Sequence, residues 1–180
     1  LSIGFIGVIA SFILGCLIGG VSGYFGGTTD LIIQRVIEFI ISIPTIPLWI
    51  ALAAALPPNW TSLQIYFGIT IVLATVGWTT LARTVRGKML ELREADFVMA
   101  AKISNMSDFN IIVKHLLPSF SSYLIVSLTL AIPGMILGET ALSFLEIGIR
   151  PPAASWGVLL QDAQNLRSLS QSPWLIIPAF

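Results

Sequence analysis

Charge is scarce in this chain. Of its 180 residues 10% are Asp, Glu, Lys or Arg and 56% are hydrophobic, whereas a soluble domain carries about a quarter charged residues. With a mean hydropathy of +0.92, that deficit excludes an ordinary water-soluble globule. Cysteine and histidine are scarcer still, one of each. Cys16 has no partner for an internal disulfide, and its apolar neighbours make it a packing residue. One His, one Cys and no carboxylates at ligand spacing exclude a metal cluster. The glycine-rich stretch 19–27 lacks a following Gly-Lys-Ser/Thr, so it is no P-loop. No basic face interleaved with aromatics suits nucleic acid. There is no basic, cleavable leader and no initiator Met, and the chain ends inside an apolar run, so an excerpt of a longer protein is expected.

What is abundant is uninterrupted apolar sequence. At about 20 residues per membrane crossing, spans are expected at 4–24, 39–56, 63–82 and 120–138, with an incomplete one at 174–180. The expectation is therefore one all-α integral membrane domain over 1–180, a multi-span helical bundle embedded in a lipid bilayer. Six of the nine Lys and Arg residues fall between Arg83 and Lys114. A charge at the bilayer centre costs about 2.5–3.5 kcal/mol on insertion scales, so the loop 83–118 lies in water. Its basic content assigns it to the cytoplasm. The connection 25–38, with Arg35, falls on the same side. The segments 57–62 and 139–173, with only Arg150 and Arg167, fall outside.

Small residues recur every fourth position in the first span, at Gly7, Ser11, Gly15, Gly19 and Gly23. In lipid, where apolar burial drives little association, such a stripe allows close helix packing. Pro44 and Pro47 interrupt the second span, and Pro133-Gly134 the fourth. Each proline removes a helix hydrogen bond, and such breaks are tolerated where protein or cavity water satisfies the freed groups. These four residues are candidates for the translocation path, alongside plain kinks. Glu139, at the end of the fourth span, is a candidate for the same path or for the wet interface. Within the outer segment 139–173, the apolar run 141–149 is too short to cross. Pro151-Pro152 stops it, and Trp156, Trp174 and the polar run 161–165 follow, which reads as a short helix at the outer interface. Arg35 and Glu38 sit at i, i+3 and can pair. Gly20-Val21-Ser22-Gly23 matches the Gly-x-Ser-Gly nucleophile pattern of rhomboid-type membrane proteases, but that chemistry needs a His base within reach. The one histidine, His115, lies in the charged loop, so these glycines read as packing and turn residues.

The charged loop reads as two short helices. The first runs from Met89 to about Ser104, and Asn105, which tolerates the left-handed conformation, ends it. Ser107 suits the next N-cap and Asp108 its first turn; that helix runs toward His115 and Pro118. The stretch Met99-Ala100-Ala101-Lys102-Ile103-Ser104-Asn105, nine residues, then His115-Leu116-Leu117-Pro118 resembles the "EAA loop" of ABC importer permeases. That pattern is Glu-Ala-Ala, three residues, Gly, nine residues, Ile-x-Leu-Pro. Met99 stands for the Glu, Asn105 for the Gly and His115 for the Ile, a substitution usual in the peptide-importer branch. Met99 removes a charge, and with it any polar contact that the family's Glu makes to its ATPase. The resemblance to the dipeptide and oligopeptide branch extends through Ser22-Gly23-Tyr24-Phe25-Gly26-Gly27 with Asp30, Ala82-Arg83-Thr84-Val85-Arg86-Gly87 and Leu92-Arg93-Glu94-Ala95-Asp96-Phe97. It continues through Glu139-Thr140-Ala141-Leu142-Ser143-Phe144-Leu145, then Pro151-Pro152 and Ser155-Trp156-Gly157. Usually a Gly follows Ser-Phe-Leu; here it is Glu146.

The resemblance implies a type I ABC importer permease with a cytoplasmic coupling helix, non-enzymatic in itself. It implies ATP-binding subunits that carry ATP and magnesium, a homologous second permease and an extracytoplasmic substrate-binding protein. No cofactor is expected on this chain. Asp96, Met99, Ala100, Ala101, Lys102, Asn105, His115, Leu117 and Pro118 are the residues it assigns to coupling, with small Ala100 and Ala101 admitting a partner surface closely. Di- and oligopeptides are the implied cargo; importers of the same class for nickel, opines or oligosaccharides stay open. The rival class is a secondary transporter or channel, which usually places ionisable residues or broken helices at mid-membrane.

Overall fold

A computed structural model describes residues 2–57, 59–149, 154–164 and Trp174. Arg150, Pro151, Pro152, Asn165, Arg167 and the remainder of the expected span at 174–180 lie outside the described residues. The described residues form helices joined by short turns and contain no strand. In chain order the elements are α1 (Ser2–Phe25), α2 (Gly27–Ser42), α3 (Thr45–Ala54), α4 (Ser62–Leu92) and α5 (Asp96–Ile103). Then come α6 (Asp108–Ile111), a π-helical turn (Ile112–Leu116), α7 (Leu117–Ser119), α8 (Ser121–Phe144) and α9 (Trp156–Gln164).

Among the described residues three helices are long and apolar enough to cross a membrane: Phe5–Phe25 of α1, Ser62–Leu92 and Ser121–Phe144. The stretch expected as one span at 39–56 is divided instead between α2 and α3, which are bent against each other at the break, the form of a broken span or of a re-entrant loop. Pro44 offers no N–H and pushes the residue before it out of the helical region; Ile43 is extended at φ −88°, ψ 127°. Pro47 then sits in the first turn of α3, where no N–H is needed. Pro133, by contrast, lies inside α8 and the helix continues past it, so the fourth span reaches Phe144 rather than ending at 138.

The third span also runs on past 82. At about 1.5 Å per residue α4 is roughly 46 Å long, against about 30 Å of hydrocarbon, so its charged end stands clear of the bilayer. The helix expected from Met89 to Ser104 is broken at 93–95. Every residue there is a fair helix former, and tertiary packing overrides propensity. Met89 on α4 and Val98 and Ala101 on α5 share one buried cluster, which they reach only if the chain folds back at Ala95.

The chain divides into two compact units. The unit of residues 8–43 and 75–131 has its core in that cluster, with Cys16, Tyr24, Val85, Ile111, Leu116 and Phe120. Within it α1 lies directly on α4. A Cβ on Gly19 would stand 2.4 Å from the Ala82 carbonyl oxygen, and one on Gly23 2.6 Å from that of Arg86. The nearest atoms to a Cβ on Gly15 belong to the Leu81 side chain, at 2.9 Å. The small-residue stripe is thus graded, and its demand is strictest where the neighbour is backbone. The reversal from α1 to α2 takes Gly26 at φ 63°, ψ −155°, a conformation essentially restricted to glycine.

The unit of residues 1–7, 44–74 and 132–180 centres on Ser143. Its hydroxyl donates to Glu139 Oε1 at 2.6 Å and accepts from the Ile149 N–H at 3.0 Å. Gly148 and Gly157 come so close that a Cβ on either would lie 2.5–2.6 Å from Ser143 or the Thr140 carbonyl. Helix α8 closes with Glu146 at φ 62°. The Glu146 N–H bonds the Ser143 carbonyl and the Ile147 N–H that of Leu142, the paired bonds of a Schellman end. The Glu146 carboxylate accepts from Gln161 of α9 at 2.5 Å.

Candidate functional site

Two features of the unit 8–43/75–131 place chemistry where another molecule can reach it. The first is the elbow of α5, α6, the π turn and α7. Helix α5 ends at Ser104, and Asn105 takes φ 56°. The Asn105 N–H bonds the Lys102 carbonyl at 3.0 Å and the Met106 N–H that of Ala101 at 3.2 Å, a second Schellman end. Ser107 occupies the N-cap of α6 in extended conformation, but its hydroxyl accepts from Asn110 at 2.9 Å instead of from the backbone. Downstream, Pro118 cannot bond the Lys114 carbonyl and its ring crowds it. The helix widens there into the π turn, closed by the Leu117 N–H on the Ile112 carbonyl.

The elbow is fastened to the membrane helices on one face and bare on the other. Val98, Ala101, Ile111 and Leu116 are buried in the shared core. The Tyr24 hydroxyl, at the end of α1, donates to Asp108 at 2.6 Å. The Lys102 ammonium stands 5.4 Å over the Tyr24 ring, a cation–π contact. On the outer face Phe97, Met99, Ile103 and Phe109 are exposed, Ile103 at 85%.

The second feature is a basin of about 770 Å³ between α2 and α4. Asp30, Gln34, Arg35 and Glu38 line it from α2; Thr80, Arg83, Thr84 and Arg86 line it from α4. At its head Arg86 forks onto both oxygens of Asp30 at 2.5 Å, the bidentate arrangement that guanidinium geometry favours. Asp30 also accepts from Ser22 at 2.5 Å, and Gln34 donates to the same hydroxyl at 3.1 Å. One network therefore ties α1, α2 and α4. Ser22 is fully buried in it with its hydroxyl proton on Asp30, so the Gly-x-Ser-Gly match is structural. Lower down, Arg35 pairs with Glu38 at 2.8 Å in an exposed contact. Arg83 is exposed and has no ion-pair partner among the described residues.

The sequence profile of one family, described as the binding-protein-dependent transport system inner membrane component, matches residues 11–180. The chain belongs to this family. As an inner membrane component it is similar to the dipeptide transport system permease protein of Bacillus subtilis, 38% identical over 98% of this chain and 54% of that protein. The oligopeptide transport system permease protein of Haemophilus influenzae is 38% identical over 100% of this chain and 56% of its own length. A second Bacillus subtilis relative, an oligopeptide transport system permease protein, is 34% identical over 97% and 56%. The chain thus spans about half the length of the curated relatives it matches. Its all-helical architecture is that of the type I permease bundle.

In this inner membrane component the residues singled out for coupling gather on the elbow but do not share one face. Asp96, Met99, Ala100, Lys102, Asn105 and Pro118 are exposed, whereas Ala101 is buried and His115 and Leu117 are partly so. Ala101 is therefore spent on the chain's own core, and of the two alanines only Ala100 lies open to a partner. The path candidates Pro44, Pro47, Pro133, Gly134 and Glu139 all fall in the other unit. None lines the basin, and Glu139 is buried against Ser143. The basin itself has no local signature. Asp30 and Arg86 are 56 residues apart; each stood in or beside a stretch that carried the family resemblance, but nothing in the sequence paired them.

Proposed function

We propose that this chain is the membrane-spanning permease subunit of an ATP-driven importer of di- and oligopeptides. It forms half of the translocation pathway with a homologous second permease. An extracytoplasmic binding protein delivers the cargo, and ATP-binding subunits holding ATP and magnesium drive it. The elbow is the coupling device. The observation that carries this reading is its two-sidedness: Tyr24–Asp108, Lys102 over Tyr24 and the common core fix it to α1 and α4, while Phe97, Ile103 and Phe109 stay bare. A push on the bare face is passed to membrane helices without an intervening flexible joint. Exposed apolar side chains around a small Ala100 suit an apolar-centred, polar-rimmed contact. Arg83, Arg86 and the rest of the basin lie on the side that the basic residues assign to the cytoplasm, which makes the basin the inner mouth of the path.

The test is uptake of a labelled dipeptide into proteoliposomes holding the full permease pair, its ATPases and its binding protein. Uptake should require ATP and survive collapse of ion gradients. Ile103→Glu and Ala100→Glu should each lower it about tenfold or more, as expected for central contact residues, with insertion and thermal stability unchanged. Uptake unaffected by both substitutions would remove the coupling role. Asp96→Cys should be labelled by an impermeant thiol reagent from the cytoplasmic side alone, and labelling from outside would reverse the topology.

A further inference from the structure

Helix α2 has two chemically opposite flanks. On one, Leu17, Val21, Ile32, Val36 and Trp78 enclose a groove of about 430 Å³ lined by apolar side chains; this is the flank acyl chains would cover. On the other lies the basin, where three arginines meet two carboxylates. Asp30 satisfies Arg86 and Glu38 satisfies Arg35, which leaves Arg83 as the one basin arginine with no carboxylate partner among the described residues. Thr80 stands about one turn before it on α4, and Thr84, next in sequence, also lines the basin. A guanidinium in a concave site offers a planar fork of donors matched to a carboxylate, and low-dielectric walls focus its field.

Resting on the permease reading above, we propose that the basin is an anion-accepting exit subsite in which Arg83 receives the free carboxylate of departing cargo, a short peptide's C-terminus or acidic side chain. The volume admits a small peptide, and the excess positive charge favours cargo that arrives carboxylate-first and disfavours cationic cargo. A phospholipid phosphate would meet the same guanidinium, but the flank suited to its acyl chains is the opposite one.

Two measurements on the full transporter in vesicles test this. The first needs neither cargo nor nucleotide. In a Cys16→Ala background, Thr80→Cys is modified from the cytoplasmic side with an anionic and a cationic methanethiosulfonate, each rate divided by that of a free thiol in solution. A unit charge within several ångströms, screened by water, should favour the anionic reagent by about tenfold, and Arg83→Gln should abolish that preference. The second measures uptake of Glu-Glu against Lys-Lys. Arg83→Glu should shift the ratio against Glu-Glu by about tenfold while ATP hydrolysis stays unchanged. Equal reagent rates, a Thr80→Cys unreactive from the cytoplasm, or an uptake ratio untouched by Arg83→Glu would each overturn the proposal. A reagent preference present with phosphatidylglycerol and absent in pure phosphatidylcholine would assign the basin to a lipid headgroup and overturn it equally. If the wild-type transporter moves no peptide on ATP, the permease reading fails, and the reagent rates still decide whether Arg83 makes the basin anion-accepting.

Discussion

All four ion pairs among the described residues lie in the unit of 8–43 and 75–131. The other unit has three described charged groups, Glu139, Glu146 and Asp162, and is joined by glycines pressed on backbone and by hydrogen bonds around Ser143. The difference is one of what can be rearranged. An ion-pair network has several pairings of similar energy, and water or a partner can enter it. A contact in which a missing Cβ decides the distance has one geometry and tolerates no substitute. The unit bearing the elbow and the basin is the one whose ties can be remade, which suits a part that changes partners during a cycle.

The sharpest break of this contrast is expected in the close-packed unit. Gly157→Ala sets a methyl 2.5 Å from the Thr140 carbonyl and should lower the unfolding free energy in mixed micelles by about 3 kcal/mol, with no dependence on salt. Asp30→Ala strands the half-buried Arg86 and should cost about 2 kcal/mol. Here the Asp30→Ala/Arg86→Ala double variant should cost less than the sum of the singles, and the difference from wild type should narrow in about 1 M salt. Additive singles with no salt response would erase the contrast. Ser143→Ala, which removes the donor to buried Glu139, should cost about 1 kcal/mol by the same measurement.

The smallest effects compare the two Schellman ends. A non-glycine residue in the left-handed region costs roughly 1 kcal/mol, less for Asn. Glu146→Ala keeps that cost and loses the Gln161 bond, and Asn105→Ala gives up the tolerance of Asn, so each should lower stability by about 1 kcal/mol. Glu146→Gly should fall within about 0.5 kcal/mol of wild type, its relieved strain offset by the lost bond and glycine entropy, and Asn105→Gly should do the same. Thermal midpoints in detergent read all four.

Much of the helical architecture was legible because α1, α4 and α8 each carry an apolar run long enough to cross a bilayer. The interruption at Pro44 had a local cause that composition announces; that it divides 39–56 into two helices, whereas Pro133 leaves α8 whole, depends on where each proline falls relative to a helix start. The fold-back at 93–95 had no local signal, since it answers to a core whose members come from α1, α4, α5 and the π turn. Asn105 was legible through its own chemistry, and Glu146 only as an odd residue in place of a glycine. The burial of Ala101 beside an exposed Ala100 was beyond any spacing argument, because neighbouring helix positions differ by about 100° and the packing partner decides which one is covered. The Asp30–Arg86 fork, and the unpaired Arg83 beside it, belong to the tertiary structure.

The π turn gives a physical meaning to a number in the sequence. Nine residues separate Asn105 from His115, and one of them is the surplus that a widened turn holds over an α-helical one. Shorten the interval by one and Pro118 would still force the turn wide, so everything after it would swing by about 100°. Leu116 would then leave the interior, and α8 would set off with a different side toward its neighbours. The interval is a gauge length, cut to deliver the next membrane helix in the correct rotation.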